Sequence, residues 1–194
     1  MIFAPTISND EASQMEAIAF DGKIVVVNRL SLLNAACKYL SKQNIIGFDT
    51  ETRPSFQSGV SYKVSLLQLS TLERCYLIRL NMVPLIKPLQ AILKDPNIKK
   101  VGVSVNGDIK GLNALRRFTP GGFIELQHEV HDFGIEEQSL RKISAIVLGK
   151  KVSKAQRLSN WEANTLTQAQ LIYAATDAWA SLKIFLSLQE SKLK

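Results

Sequence analysis

The stretch Ile45-Ile46-Gly47-Phe48-Asp49-Thr50-Glu51-Thr52 is an apolar run that ends in two carboxylates one residue apart. Successive side chains of a β-strand leave opposite faces, so Asp49 and Glu51 point the same way from the end of a strand whose earlier residues suit burial. Two acids in one small volume repel, and each holds the other's proton. The pair becomes tolerable when something positive lies between them, and carboxylate oxygens suit a hard divalent cation such as Mg²⁺ or Mn²⁺. The alternative is a pair of solvated acids where a strand runs into a loop.

Two further places supply acids of the same kind. Asp108 follows Asn106-Gly107 at a strand-to-helix junction, with Asn106 as the expected cap and Asp108 in the first helical turn. A carboxylate there is also favoured by the helix dipole, whatever the chain does. Tyr173 and Asp177 are one helical turn apart in Tyr173-Ala174-Ala175-Thr176-Asp177-Ala178, so the hydroxyl and the carboxylate share a face. An Asp on an apolar helical face is costly to bury unless paired, and a cation held by Asp49 and Glu51 would pair it. His128 and His131 have a spacing that permits shared ligation, but no third ligand accompanies them, and they read as surface residues. Cys37 and Cys75 lack metal-ligand spacing and read as buried thiols.

The surrounding pattern is that of alternating helices and strands. Lys23–Val27 is a β-branched run, and a helix capped by Ser31 precedes the acidic strand. Arg53–Gly59 reads as loop. Val64–Leu69 and Cys75–Leu80 read as strands joined through Thr71-Leu72-Glu73, a hairpin continuing the sheet. A helix from Pro84 to about Lys94 stops at Asp95-Pro96-Asn97, and Lys100–Val105 returns as a strand. Phe123–Leu126 is a short strand, and a helix through Leu140, Ile143, Val147 and Leu148 ends at Gly149. Thr167 and Gln170 form a capping box for a last helix running to about Leu188. The alternation predicts a mixed α/β sheet flanked by helices, in one domain over residues 23–194, preceded over residues 1–22 by an arm or a poorly ordered start.

Charge points to an anionic partner. The chain of 194 residues carries a formal net charge of +7. From Gln138 onward nine basic residues face three acidic ones, beside an acidic stretch at Glu125–Glu137. Cations that hold a polyanion, next to acids that hold a metal, is what metal-dependent chemistry on phosphates needs. The basic connection Lys150–Trp161 interleaves Lys154 and Arg157 with Trp161, a pattern that can hold phosphates and stack a base. No apolar run approaches the roughly 20 residues that span a bilayer, and the N-terminus lacks a targeting pattern. A soluble intracellular protein, cytoplasmic in a bacterium, with no membrane partner, is the expectation.

Taken as an ordered set, Phe48-Asp49-Thr50-Glu51-Thr52, Asn106-Gly107-Asp108 and Tyr173–Ala178 resemble the motifs of the DEDD 3′–5′ exonucleases. The Tyr four residues before the last Asp is similar to the DEDDy branch, that of ribonuclease D and the Werner syndrome protein exonuclease domain. The other branch would place a His where Ile172 stands. Val64–Leu69 and Leu158–Trp161 share the likeness, which covers about Lys23 to Leu188. The resemblance implies a ribonuclease-H-like fold, two divalent metal ions (Mg²⁺ or Mn²⁺) and hydrolysis of nucleic acid from its 3′ end. Asp49 would bridge both metals, Glu51 and Asp177 would complete the tighter site, Asp108 would serve the second through water, and Tyr173 would position and help activate the attacking water. Thr52, Arg53, Gln68, Lys154, Arg157 and Trp161 are expected to hold the 3′-terminal nucleotides. Single-stranded or 3′-recessed DNA is the favoured partner, RNA the second. With no helicase motif and no further nucleic-acid-binding segment, a free-standing, distributive domain is expected. The competing reading is a nucleic-acid-binding scaffold of the same fold without turnover.

Overall fold

In a computed structural model, residues 3–192 are described. Met1 and Ile2 of the expected arm, and Leu193 and Lys194 at the end of the expected domain, lie outside the described residues.

A six-stranded mixed sheet forms the centre. Its strands are β2 (Lys23–Val27), β3 (Ile45–Thr52), β4 (Val64–Ser70), β5 (Arg74–Arg79), β6 (Lys99–Gly102) and β7 (Phe123–Glu125), in the order β2-β5-β4-β3-β6-β7. The β4–β5 hairpin is antiparallel and β4 also runs antiparallel to β3, whereas β2, β6 and β7 pair in parallel with their neighbours. The acidic strand β3 is thus interior, between β4 and β6. Helices α2 (Leu30–Leu40), α3 (Lys87–Lys94) and α4 (Val105–Leu115) cover one face, where Ile46, Phe48, Leu67, Leu69 and Ile78 form a core with Leu33, Leu40, Leu89 and Leu112. The last helix, α7 (Gln168–Lys192), covers the opposite face, packing Ala174, Ala175 and Trp179 with Leu66, Cys75 and Leu77. Helices α5 (Leu126–His131) and α6 (Leu140–Leu148) pack around Ile184 and Leu188 at its far end.

Several expected boundaries shift for local reasons. Helix α2 starts after Arg29 with no side-chain cap, so Ser31 lies inside it. Helix α3 begins at Lys87, since Pro88 suits a first turn and the segment from Pro84 is irregular. Strand β6 ends at Gly102, and Ser104 takes a left-handed conformation (φ 61°) that turns the chain into α4. The capping box of α7 forms as read: the Thr167 amide donates to Gln170 Oε1 (2.9 Å) and the Gln170 amide to Thr167 Oγ1 (3.2 Å). Gly149 closes α6 in the left-handed region (φ 65°), which favours a residue without Cβ.

The described part of the N-terminal arm carries regular structure and packs on the domain. Residues Asn9–Gln14 form α1 behind a Ser8/Glu11 capping box. Residues Ala17–Ile18 (β1) pair in parallel with Lys151–Val152 (β8). The Phe20 amide then donates to the buried Thr176 hydroxyl (3.0 Å), which ties the arm to α7 one residue before Asp177. Backbone pairing with a two-residue strand from the far end of the chain supplies the order. Helix α7 also corrects the expectation that no run is long and apolar enough to cross a membrane: by length and composition it qualifies, yet 67% of its apolar window is buried in the domain. Its apolarity is that of a core helix.

Candidate active site

Strand alternation puts Gly47, Asp49 and Glu51 on the face covered by α7. Contact there is close because of Gly47: a Cβ on it would meet the Ala178 carbonyl oxygen at 1.9 Å. Glycine and the small residues Ala174 and Ala178 therefore let the helix backbone rest on the strand, and Asp177 arrives beside the strand acids. One carboxylate oxygen from each of Asp49, Glu51 and Asp177 lies within 4.8 Å of the others.

Burial dominates the electrostatics. It is the largest cause raising the Asp49 carboxyl far above the usual range, with Asp177, Glu51 and Asp108 adding repulsion. Glu51 rises to about 9 through burial, then Asp177 and Asp108. Asp177 rises to about 7 through burial, offset in part by the Tyr173 hydroxyl. None of the ion pairs among the described residues, Arg53–Glu162, Lys142–Glu137 and Lys150–Glu16, neutralises these acids. Asp177 Oδ1 is buried without any hydrogen-bond partner. Convergent hard oxygens, mutual repulsion and an orphaned buried oxygen fit a divalent cation.

Asp108 is set apart. It reaches β3 from the other face, where the Thr50 hydroxyl donates to its Oδ1 at 2.5 Å. Burial lifts it to about 6, and the Thr50 bond works in the opposite direction. The cap of its helix is not Asn106. Glu125, at the end of β7, accepts the amides of Ser104 and Val105 (2.8 Å each) and so fixes the turn that carries Asp108. Sequence reading missed Glu125, because a cap supplied across the sheet has no local spacing signal.

Tyr173 flanks the three acids. Burial first, then Asp177, Glu51 and Asp49, disfavour its phenolate strongly in the metal-free protein. Its ring also walls an apolar cavity of about 240 Å³ bounded on the other side by Ala17 and Ile18 of the arm.

The expected nucleotide-holding residues divide. Thr52 lines a cleft of about 410 Å³ with Tyr62, Lys63 and Asp108. Arg53 packs over the Tyr62 ring (4.6 Å) and pairs with Glu162 at 3.4 Å. Lys154 and Arg157 are exposed. Trp161 is fully buried, 6.0 Å from the Tyr173 ring within the α7-side core, so it does not stack a base from a solvated loop. Gln68 is likewise fully buried and inaccessible to a nucleotide. Among the described residues the two most exposed large apolar side chains are instead Phe56 (82% exposed) and Leu158 (59%). They line a groove of about 300 Å³ with Arg53, Tyr62 and Asn160. His128 and His131 are exposed, and Cys37 and Cys75 are buried free thiols.

A carboxylate group thus lies on an interior strand of a mixed sheet, closed by the last helix. Residues 24–192 match the family model described as 3′–5′ exonuclease, and the chain belongs to that family. It is 36% identical over 157 residues to the mouse (Mus musculus) bifunctional 3′–5′ exonuclease/ATP-dependent helicase WRN, an alignment covering 77% of this chain and 11% of that protein. The chain thus spans about a tenth of the length of that relative. The Nibbler EXO domain of Aedes aegypti superposes with a TM-score of 0.81 at 24% identity, covering 91% of this chain and 93% of that one. Ribonuclease D of Trypanosoma brucei in complex with RNA U12 gives 0.76 at 20% identity, covering 95% and 66%. These structural likenesses establish the ribonuclease-H-like fold.

Proposed function

We infer that the chain hydrolyses nucleic acid from its 3′ end, releasing nucleoside 5′-monophosphates with the help of two divalent metal ions, Mg²⁺ or Mn²⁺. The convergence of Asp49, Glu51 and Asp177 within 4.8 Å carries this reading. These three would hold the metals, and Asp108 would join them by way of water. When bound, the metals would supply a water of lowered pKa and counter-charge for the departing 3′-oxygen. The chain's own groups do the rest. A bound cation would favour the charged forms of Asp49, Glu51 and Asp177, so occupancy would shift their protonation. Tyr173, flanking the three acids, would position and help activate the attacking water through its hydroxyl. The groove of Arg53, Phe56, Tyr62 and Leu158 receives the strand, with Arg53 and the exposed Lys154 and Arg157 toward its phosphates.

DNA, single-stranded or 3′-recessed, is the favoured substrate, in keeping with the motif likeness to the Werner-type domain. RNA is the second reading, favoured by the fold shared with a ribonuclease D that binds RNA U12. The test is 5′-labelled DNA and RNA, single-stranded and recessed, incubated with Mg²⁺, Mn²⁺ or EDTA. Stepwise shortening from the 3′ end that stops with EDTA and with Asp49→Ala supports the enzyme. Binding without shortening under every metal condition supports the scaffold reading instead.

A further inference from the structure

Gln68 is left without a task once nucleotide contact is excluded. It lies fully buried in β4, and neither its Nε2 nor its Oε1 has a hydrogen-bond partner. Burying an amide with both groups unbonded is costly, and an apolar side chain of that size would avoid the cost.

Its place in the sheet supplies a partner. Gln68 stands directly opposite Asp49 in the β3–β4 ladder, so the two side chains leave the same face with Cβ atoms about 4.5–5.5 Å apart. Its neighbour on β5 is Leu77, which offers no polar group. The α7 hydroxyls flanking Asp177 spend their protons elsewhere, Thr176 on the Ile172 carbonyl and Ser181 on the Asp177 carbonyl, so neither donates to Gln68 Oε1. Asp49 Oδ1 already accepts the Thr50 amide at 2.9 Å, which leaves its second oxygen for a donor from β4.

The geometry points to Gln68 as a positioning residue for the acid centre: Nε2 donates through one buried water to the second oxygen of Asp49, and fixes which oxygen faces the cation. Carboxylates that hold metals are oriented by hydrogen bonds from behind. A neutral amide does this without cancelling the negative charge that attracts the cation, which Lys or Arg in its place would do. The proposal rests on the metal-holding reading of Asp49, Glu51 and Asp177.

Gln68→Met keeps the length of the side chain and removes both hydrogen-bonding groups. Calorimetric titration of metal-free protein with Mn²⁺ gives affinity, and thermal unfolding of the same sample in EDTA gives stability. Positioning predicts Mn²⁺ binding weakened about 10- to 100-fold, kcat lowered with KM unchanged, and a metal-free unfolding temperature at or above that of the wild type. A variant that binds Mn²⁺ as tightly as the wild type overturns the proposal and makes Gln68 a space-filler. If Gln68→Met does not fold, the side-chain amide signal of Gln68 in ¹⁵N-labelled wild type decides. It should move on addition of Mg²⁺, and not in Asp49→Asn; a signal indifferent to Mg²⁺ overturns the assignment. A wild-type chain that binds no Mn²⁺ defeats the metal-centre reading, a failure that its own isotherm separates from the failure of Gln68.

Discussion

Replacing Asp177 by Asn should make the metal-free protein more stable while removing its response to metal. Oxygens of Asp49, Glu51 and Asp177 lie within 4.8 Å of one another, and at an effective dielectric of ~20 each like-charged pair at that separation costs about 3.5 kcal/mol. Proton uptake limits the loss. Burial holds Asp177 up to about 7 against an ordinary 3.8, a difference worth about 4 kcal/mol. The folded value exceeds the unfolded one, so the stabilising contribution is fully present below the unfolded value and is lost as pH rises through about 7. An Asn carries no such dependence, but its buried amide costs about 1–2 kcal/mol. The net gain at pH 7.5 is then about 2–3 kcal/mol, or roughly 5–10 °C in unfolding temperature for a chain of this size. Scanning calorimetry in EDTA at pH 7.5 and pH 5, then with excess Mg²⁺, is the assay. The variant should melt above the wild type at pH 7.5, the gap should narrow at pH 5, and Mg²⁺ should raise the wild type far more. A variant that melts at or below the wild type in EDTA at pH 7.5, or that gains as much from Mg²⁺, refutes an electrostatically loaded cation site.

Asp49→Asn should lower metal-dependent hydrolysis by several orders of magnitude with circular dichroism unchanged, and near-normal turnover would remove Asp49 from the centre. Trp161→Ala should destabilise the fold by about 3–5 kcal/mol, the cost of emptying a buried aromatic site, measured by urea unfolding. Phe56→Ala should leave stability unchanged and raise KM for single strands, and an unchanged KM would move the strand elsewhere. Lys154→Ala and Arg157→Ala should each flatten the dependence of log kcat/KM on log salt for single strands by about 0.7; turnover that ignores salt at subsaturating substrate contradicts phosphate binding by these residues. Gly47→Ala should cost both stability and metal affinity, because the added methyl meets the Ala178 carbonyl; unfolding and Mn²⁺ titrations that match the wild type would contradict that contact.

Features governed by neighbouring residues were legible in the sequence. The alternation of β3 put Asp49 and Glu51 on one face, the helical turn put Tyr173 with Asp177, and the Thr167/Gln170 box and Gly149 marked helix ends through local hydrogen bonding and φ. What required distant partners was not legible. Trp161 looks like a loop aromatic because its neighbours are polar, yet it belongs to a buried cluster with Phe20, Leu66 and Ala174, which come from three separate parts of the chain. The strand pattern gave Gln68 a face but not what covers it. Asp108 was read from its helix alone, whereas Thr50 and Glu125 set its place from the sheet. The arm is held through two-residue strands, too short to leave a periodicity.

The contact of Gly47 with Ala178 gives the protein an uneven tolerance to change. On the proposed reading, a carboxylate in the centre exchanged for an amide of nearly the same shape would spend the chemistry and keep the architecture. A single added carbon at Gly47 does the reverse: it leaves every acid in the chain and spoils the spacing between them. Variation that silences this domain therefore need not touch an acidic residue, and a chain that retains Asp49, Glu51, Asp108, Tyr173 and Asp177 can still be inert if the glycine beneath the helix is lost.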